Sequence, residues 1–356
     1  MKGKVTNILI IVICILLLAA GGIFGYKVYM DSKQDKEVVG NNVKQETQEI
    51  PVVKKLKIVD EDSLSRPYAV MINNNHEAWP QCGVQDAYIV YEIISEGGIT
   101  RMMALYKDKD TAKIGSIRSA RHYFLDYANE NDAIFVHWGG NHPAYDVIKE
   151  TKVTDIDAQS SSKPFFRDNP EKLATEHTGY TSLEKLINYA TNTKKYRLTT
   201  DVKSPLKYTT DIIDLSKASD AKEAKTVELN YSGSYKLKYV YDENTGRYQR
   251  YYNNKEHKDY FNGNKFDTKN IIITLIGTGK VKGYTDTAGT NYTDLYNIGN
   301  GSGYYITNGY AREIKWSKES RSAQTKYAYT DGTEVNVNDG NTYINLFDKS
   351  KSVSIK

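Results

Sequence analysis

The chain has 356 residues, of which 39% are hydrophobic and 26% are charged. This composition excludes an intrinsically disordered protein and allows a sizeable core in more than one domain. The formal net charge is only +4, from 48 basic and 44 acidic side chains, and this balance argues against a nucleic-acid partner, because a nucleic-acid binder needs a concentrated basic face.

Residues 1–30 predict a transmembrane anchor. No residue between Lys4 and Lys27 is charged, and this run would span roughly 33 Å as a helix, which is enough to cross a bilayer. The basic start before the apolar run favours a cytoplasmic N-terminus and an extracytoplasmic remainder. A cleaved signal peptide is the alternative, because residues 19–21 are small enough for a peptidase site. The length of the uncharged run favours the uncleaved signal anchor.

The segment 31–64 mixes charged and amide side chains with little apolar periodicity, so we predict a flexible linker there. Cys14 lies inside the apolar run after the bulky Ile13, which does not fit a lipoprotein site. Cys82 is then the lone cysteine of the extracytoplasmic part, and no intrachain disulfide is expected.

After the linker, short apolar runs rich in β-branched and aromatic residues predict strands at 68–74, 86–94, 99–106 and 133–138. Helical spacing predicts helices at 119–130, 142–150 and 181–190, with Ser119 and Thr181 as candidate caps. Together they predict a mixed α/β domain at 65–221.

Beyond residue 222 the pattern changes to period-two alternation, with turn residues at 244–246, 308–309 and 331–332. This pattern predicts a β-rich domain at 222–356. The fold class is therefore α+β: a mixed α/β domain followed by a β-rich C-terminal domain, after a single N-terminal transmembrane helix. The glycine-rich stretch "IGNGSGYY" (298–305) resembles a phosphate loop, but it lacks the following helix and the Gly-Lys-Ser/Thr signature, so we interpret it as hairpin glycines.

Tyrosine is unusually frequent, with 30 tyrosines against 8 phenylalanines. One interpretation is a surface that stacks on sugar rings, since tyrosine combines a flat apolar face with a polar tip. The other is a compositional bias that also enriches lysine, asparagine and isoleucine. The sequence leaves both open.

The stretch "GSIRSARHYF" (115–124) places Arg118 and Arg121 three residues apart, close to one face of a helix entrance. Guanidinium groups suit carboxylate and phosphate oxygens, so we predict an anion-binding cleft formed by these two arginines together with Arg101. The alternative is a structural pair that bonds backbone carbonyls or Glu92 and Glu96.

A second stretch, "FVHWGGNHPAYDVI" (135–148), ends an apolar run with His137 and continues into Gly139 and Gly140. Ligands of α/β domains bind at such strand ends, and paired glycines let the backbone approach a ligand. We therefore add His137 and both glycines to the predicted cleft. His142 follows closely, but no third metal ligand accompanies the two histidines, so neither a metal nor a cofactor is expected. A buried, satisfied His137 is the alternative.

Other polar residues at segment ends complete the prediction of ligand-binding residues: Arg167, Asp168 and His177. Glu92 lies within an apolar strand, where an unpaired carboxylate is costly, so this residue is either salt-bridged or functionally tuned. A hydrolase would use Glu92 or Glu96 as general acid or base, assisted by His137.

Several motifs in order resemble the YerB-like family, whose members are exported or membrane-attached proteins of Gram-positive bacteria with a two-part domain of unknown function. The motifs are "RPYAVMINN", "VQDAYIVYEIISEGGITR", "KIGSIRSAR", "VHWGG", "FFRD", "NIIITLI" and "GSGYYITNGYAREIKWSK". The resemblance covers most of 66–347 and implies a cell-envelope setting with a two-domain ectodomain, but no established reaction. The matching positions are Asn73, Glu92, Glu96, Gly97, Gly98, Arg101, Arg118, Arg121, His137, Gly139, Gly140, Arg167, Asp168 and His177.

The chain departs from this family in the missing lipoprotein cysteine, which turns a lipid anchor into a peptide anchor, and at His122, where members often have proline. Our leading hypothesis is a single-pass, extracytoplasmic envelope protein that binds an anionic wall-derived ligand, either a peptidoglycan fragment or a wall polymer, or an envelope protein. The alternative is a cell-wall glycan hydrolase or transferase that uses Glu92 or Glu96 with His137.

Overall fold

A computed structural model describes residues 54–79, 81–169, 172–286 and 289–356, and the chain from Lys54 to Lys356 forms one compact unit. The predicted transmembrane segment at 1–30 and most of the predicted linker lie outside the described residues. Within the described part, no helix has the length and apolar character needed to cross a bilayer.

Three α-helices lie in the described chain: α1 (His122–Glu130), α2 (His142–Thr151) and α3 (Leu183–Asn188), the last continuing into a π-helical turn at Tyr189–Lys194. The strands of the first part are β1 (Tyr68–Asn73), β2 (Ile89–Ile94), β3 (Thr100–Tyr106), β4 (Ile114–Gly115), β5 (Ile134–His137), β6 (Asp155–Asp157), β7 (Phe166–Arg167), β8 (Gly179–Thr181) and β9 (Lys207–Thr209). Those of the second part are β10 (Lys222–Glu223), β11 (Thr226–Asn230), β12 (Lys236–Asp242), β13 (Arg247–Tyr252), β14 (Lys255–Glu256), β15 (Asp267–Thr268), β16 (Asn270–Thr285), β17 (Asn291–Tyr296), β18 (Gly299–Thr307), β19 (Tyr310–Lys318), β20 (Lys326–Tyr329), β21 (Asn336–Asn338), β22 (Thr342–Asp348) and β23 (Val353–Ile355).

The main sheet has twelve strands in the order β10-β19-β18-β16-β22-β2-β3-β1-β5-β6, with β17 paired to β16 and β20 to β19. It is mixed: β22 runs parallel to both β2 and β16, and β1, β5 and β6 run parallel to one another, whereas β3 is antiparallel to its neighbours. A six-stranded sheet, β14-β13-β12-β11-β23 with β15 on β13, forms a second layer.

The two faces of the main sheet bury two separate apolar clusters. On β1, Val70 and Ile72 belong to one cluster and Met71 to the other, which is the alternation expected of a strand covered on both sides. The six-stranded sheet covers the first face, and α1 covers the second with Phe124 and Leu125. Glu92 shares the first face with Val90 and therefore points between the two sheets.

Most of the tyrosines lie in these clusters. The inward positions of β12 and β13 carry Tyr239, Tyr248 and Tyr252, and Tyr231 and Tyr343 are also buried. A general sugar-stacking surface is therefore not the reason for the high tyrosine content. The phenol rings fill the space between the layers.

The α+β prediction is confirmed in its coarse form, with many strands and few helices. After residue 222, all the regular secondary structure in the described residues is β-strand. The turn at 244–246 joins β12 to β13, and the turn at 308–309 joins β18 to β19. The two predicted N-caps were wrong by one or two residues. The N-cap of α1 is Arg121 rather than Ser119. The N-cap of α3 is Ser182 rather than Thr181, and its hydroxyl accepts a hydrogen bond from the Lys185 amide at 3.2 Å.

Two predicted boundaries do not coincide with breaks in this unit. Strands from both sides of the 221/222 boundary form the main sheet together, because β22 lies between β16 and β2. The predicted linker extends too far, because Val59 is buried and Leu56 and Ile58 pack against the second apolar cluster. The apolar spacing in "KKLKIVD" is the sequence signal for this packing.

Candidate functional site

Three arginines, Arg101 and the neighbouring Arg118 and Arg121, lie close together near two carboxylates. Arg101 is on β3, Arg118 lies between β4 and α1, and Arg121 is the N-cap of α1. Glu96 is in the turn after β2, and its Oε2 accepts a hydrogen bond from Arg121 Nε at 2.7 Å. We call Arg101, Arg118, Arg121 and Glu96 the arginine cluster.

The segment 117–120 brings these residues together because it is held between two strand ends. The Arg118 amide donates to the carbonyl of Met71 on β1 at 3.1 Å, and the Arg118 carbonyl accepts from the amide of Trp138, just after β5, at 3.1 Å. The carboxyl ends of the parallel strands β1 and β5 thus border the cluster, which is the edge where ligands of α/β sheets bind.

Like charge dominates the cluster. Burial lowers the pKa of Arg101, and the guanidinium groups of Arg121 and Arg118 lower it further, against the opposing effect of Glu96. Burial also lowers the pKa of Arg118, the nearby carboxylate of Glu176 opposes this shift, and Arg121 adds to it. Burial acts to raise the pKa of Glu96, but Arg121 and Arg101 outweigh it and hold that pKa below its ordinary value. Three guanidinium groups therefore share two carboxylates, Glu96 beside Arg121 and Arg101, and Glu176 beside Arg118.

The guanidinium groups keep hydrogen-bonding capacity. Arg101 donates to the carbonyl of Ser119 at 2.6 Å, Arg118 to the carbonyl of Glu176 at 3.3 Å, and Arg121 to the carbonyl of Ala120 at 2.8 Å. Each guanidinium has five N–H donors, so these bonds and the one to Glu96 use a minority of them. Arg118 and Glu96 are only half-buried, which leaves one side of the cluster open to solvent.

His177 lies at the margin of the arginine cluster. Its Nδ1 is 2.9 Å from Nδ2 of Asn73 at the end of β1, and its Nε2 is 3.6 Å from Glu77. Burial lowers the pKa of His177, and Arg118 lowers it further, so the imidazole is neutral at pH 7. Nδ1 then accepts the hydrogen bond that the Asn73 amide donates.

Arg167 and Asp168 both contact other side chains of the protein. Arg167 stacks on Trp138, with its guanidinium carbon 4.2 Å from the ring centroid, and donates to the hydroxyl of Thr178 at 3.0 Å. Asp168 forms a salt bridge with Lys113 at 2.5 Å. Both side chains are thus paired with protein groups, and their role in ligand binding stays a prediction.

His137 is a buried structural residue, whereas Gly139 and Gly140 pair with the backbone of Ala120, next to the cluster. His137 is fully buried, with Nδ1 2.8 Å from the Gly139 carbonyl and Nε2 3.2 Å from Asp155. The Gly139 amide donates to Asp157 at 2.8 Å, and Gly140 packs against Ala120. The buried alternative for His137 fits this environment, because both ring nitrogens are satisfied within the fold.

Glu92 lies in a closed polar network between the two sheets. Its Oε2 accepts from Arg250 Nη2 at 2.8 Å, and its Oε1 accepts from the hydroxyls of Thr100 at 2.7 Å and Tyr235 at 3.0 Å. Neither Glu92 nor Arg250 has any exposed side-chain surface. The predicted role of Glu92 as general acid or base has no substrate access in this geometry.

His257 and Gln81 extend this network. Arg250 Nη1 donates to His257 Nδ1, and His257 Nε2 then donates to Gln81 Oε1. The ring of Trp79 stacks on His257 at 4.0 Å between centroids. Burial lowers the pKa of His257 far below its usual value, and Arg250 lowers it further, so this histidine is neutral. We call Glu92, Arg250, His257 and Gln81 the buried network.

Sequence reasoning missed Arg250 and His257. The available signal was the alternation in "RYQRYY" (247–252), where Arg250 occupies the same inward face as Tyr248 and Tyr252. An arginine at such a position requires a buried acidic partner. Glu92, a carboxylate within an apolar strand, was the candidate that the sequence offered.

Metal binding has no candidate: across the described residues, no group of three or more histidine, cysteine, aspartate or glutamate side chains is arranged to hold an ion. A cavity of about 670 Å³ lies elsewhere, between the segment 202–209 and the start of the unit at Val59, with Lys107 and Asn131 among its walls. The arginine cluster is thus a partly open surface site and does not line this cavity.

Comparison with known proteins identifies both halves of the chain. The N-terminal domain of a protein of unknown function (DUF3048) matches residues 56–197, and the C-terminal domain of the same family matches residues 227–344. The first match contains the arginine cluster and Glu92, and the second contains Arg250 and His257.

A relative from Bacillus subtilis (strain 168), named "Putative lipoprotein YerB", is 29% identical over 299 residues, which is 82% of this chain and 83% of the relative. The crystal structure of YerB protein from Bacillus subtilis is similar to this fold, with a TM-score of 0.69 and 27% identity over 82% of this chain and 94% of that chain. The similarity therefore extends over both parts of the compact unit.

Proposed function

Since the chain belongs to the two-part DUF3048 family, as its resemblance to the YerB-like family predicted, we propose that it is a membrane-attached, extracytoplasmic protein of the cell envelope. Its role in this proposal is to bind an anionic wall-derived ligand through the arginine cluster. Support for the location comes from the relative named as a lipoprotein and from the uncharged run between Lys4 and Lys27.

The observation that carries the ligand proposal is the charge imbalance of the cluster. Three guanidinium groups near two carboxylates, Glu96 and Glu176, leave one positive charge uncompensated, and the repulsion among them adds to burial in lowering the pKa of Arg101. A bound phosphate or carboxylate would offset this repulsion and engage the remaining N–H donors, which is the geometry that guanidinium forks favour. Peptidoglycan stem peptides supply carboxylates and wall polymers supply phosphates.

The hydrolase alternative gains no support from the geometry. Glu92 is enclosed in the buried network, His137 is fully buried, and Glu96 is paired with Arg121. Two carboxylates acting on one glycosidic bond must both reach the sugar, and these carboxylates lie in different environments.

In this proposal the attachment to the membrane uses residues 1–30 as a peptide anchor, unlike the lipid of a lipoprotein. The test is Cys14→Ser, with the variant's membrane fraction and intact mass compared with those of the wild type. A peptide anchor leaves both unchanged apart from the substitution itself. Loss of membrane attachment together with loss of a lipid mass would replace it with a lipid anchor.

The ligand proposal is tested by sedimentation of the compact unit, residues 54–356, with purified Gram-positive wall sacculi. We expect the wild type to co-sediment at low salt and the Arg118→Ala/Arg121→Ala variant to bind at least roughly tenfold more weakly, since even one lost hydrogen bond to a charged group costs about 1.5–3 kcal/mol. Sacculi stripped of their phosphate polymers distinguish the sources: retained binding assigns peptidoglycan carboxylates, and lost binding assigns the phosphate polymer.

The matched control is Arg197→Ala/Arg312→Ala, which removes the same charge from two arginines paired with Asp132 and Asp220 outside the cluster. This control should sediment like the wild type. Equal loss in both double variants would mean that net charge alone drives the association and that the cluster is not a site.

A further inference from the structure

The long strand β16 changes partners halfway along, and the change leaves a groove in the main sheet. Its first half pairs with β18, ending at Thr274 opposite Gly303, and its second half pairs with β17, beginning at Gly277 opposite Tyr296. A continuous register would place residue 299 opposite Thr274. The chain at 299–302 is therefore extra and bulges away from β16.

The bulged segment keeps only one of its two strand partners. Gly299, Asn300, Gly301 and Ser302 pair with β19 on one side, while no pairing with β16 is formed on the other side. A groove of about 360 Å³ lies in this gap. The backbone amides and carbonyls on the open edge of the bulge, together with the side chains of Asn300 and Ser302, give the groove hydrogen-bonding walls.

Aromatic side chains flank the groove on a glycine floor. The side chain of Tyr296 lies close to both glycines: a Cβ at Gly277 would come within 2.8 Å of its ring, and a Cβ at Gly279 within 2.3 Å of its hydroxyl oxygen. A Cβ at Gly301 would likewise meet the indole of Trp316 at 2.7 Å. These glycines let both rings lie flat against the backbone, and Tyr296 remains 59% exposed while most other tyrosines are buried.

The groove has a positively charged residue in its wall and no negatively charged one among the described residues that line it. Lys349 is exposed and is the one charged residue among the described residues that line the groove. Ile298, which is 42% exposed, adds an apolar edge beside Tyr296. A flat ring with an apolar face, hydrogen-bonding groups at its rim and a negative substituent matches these walls.

We propose that the groove binds a pyranose sugar that carries a carboxylate substituent, with the sugar ring stacked on Tyr296 and the carboxylate near Lys349. The glycine-rich stretch "IGNGSGYY" is then the wall of a saccharide site rather than a plain hairpin. This assignment rests on the groove alone, and it holds whether or not the arginine cluster binds an anion.

The test is a titration of the full-length chain, followed by calorimetry or NMR, with N-acetylglucosamine and with N-acetylmuramic acid, which has in addition a carboxylate-bearing lactyl group on O3. We expect the wild type to bind both and to prefer the acid by roughly two- to fivefold, a modest factor because Lys349 is solvent-exposed. Tyr296→Ala should weaken both sugars by about tenfold, and Lys349→Gln should remove only the preference.

Two further variants separate this site from the rest of the protein. Phe261→Ala removes a similarly exposed ring outside the groove and should leave both affinities unchanged, and Arg118→Ala/Arg121→Ala should leave the affinity for the uncharged N-acetylglucosamine unchanged. The proposal is overturned if neither sugar binds at millimolar concentration, if folded Tyr296→Ala binds like the wild type, or if the arginine variant abolishes binding of the acidic sugar. The last result would move the carboxylate to the arginine cluster.

Discussion

Glu92 and Glu96 lie on and just after the same strand, yet they meet opposite surroundings. Glu92 faces Arg250 in the buried network, where one carboxylate meets one guanidinium and both are fully enclosed. Glu96 faces Arg121 and Arg101 at the carboxyl ends of β1 and β5, Arg118 lies beside them near Glu176, and Glu96 and Arg118 are half-buried. The first region is electrically complete without a ligand, whereas the second has an excess of positive charge.

This difference separates a structural polar site from a candidate binding site more clearly than burial or residue type does. A buried, paired carboxylate and arginine hold the two sheets in a fixed relation, and removing one partner leaves an uncompensated charge. A cluster with surplus guanidinium groups is stabilised by an incoming anion. We therefore expect the two regions to respond in opposite ways to loss of a charged partner and to added anions.

The largest effect should follow from breaking the buried network. We expect Arg250→Met to lower the free energy of unfolding by about 3–5 kcal/mol, because Glu92 is left charged and unpaired between the sheets. The measurement is urea unfolding of residues 54–356. The double variant Glu92→Leu/Arg250→Met should recover most of this loss, since no buried charge remains.

Arg197→Ala is the control for this comparison, because its side chain is 52% exposed and its ion pair with Asp132 contributes little to stability. Should Arg250→Met cost no more than Arg197→Ala, the buried network would not be the structural element that its enclosure indicates.

The next effect is a pH dependence that belongs to the buried network. Because the pKa of His257 is lowered in the folded state, its stabilising contribution is complete above pH 6.5 and is lost as the pH falls, since the unfolded chain takes up a proton that the folded chain excludes. The loss between pH 6.5 and 5 is roughly 2 kcal/mol for one proton.

The His257→Gln variant should unfold with a shallower dependence on pH over this range, measured by urea unfolding at several pH values. The exposed His76 provides the control substitution, His76→Gln. An unchanged slope in His257→Gln would show that this histidine is protonated in the folded protein.

A smaller effect should come from Glu96→Gln in the arginine cluster. We expect a loss of about 1 kcal/mol at pH 7, because one charge-assisted hydrogen bond to Arg121 disappears. The pKa of Glu96 is lowered in the fold, so its contribution is present above about pH 4.5 and is lost as the pH falls through the lowered value. Wild type and variant should therefore converge in acid.

Added phosphate should then distinguish the two regions. It should raise the melting temperature of Glu96→Gln more than that of the wild type, because the variant has lost the cluster's own counter-charge. A phosphate effect that is the same in both proteins would place anion binding outside the cluster.

The sequence predicted the local features of the fold and fewer of its long-range contacts. The strands around Val70 and Val136 and the turn at 308–309 were predictable, because periodicity and turn residues act over a few positions. The insertion of β22 between β16 and β2 was not, since it joins the last part of the chain to the first. The sheet therefore crosses the boundary that composition indicated near residue 222.

The candidate site shows the same division. The spacing of Arg118 and Arg121 and the helix entrance beside them predicted their proximity, and Arg101 joined them as expected. His137 did not, because Asp155 and the Gly139 carbonyl satisfy both of its ring nitrogens. The partner of Glu92 comes from β13, far along the chain, and no local pattern identifies it.

The most direct test of the central claim is a calorimetric titration of residues 54–356 with tripolyphosphate at low salt, in the wild type, in Arg118→Ala/Arg121→Ala and in the charge-matched Arg197→Ala/Arg312→Ala. We expect saturable binding to the wild type and to the charge-matched variant, and binding at least about tenfold weaker when the cluster is altered. Equal affinity in the two double variants, or no saturable binding to the wild type, would contradict it.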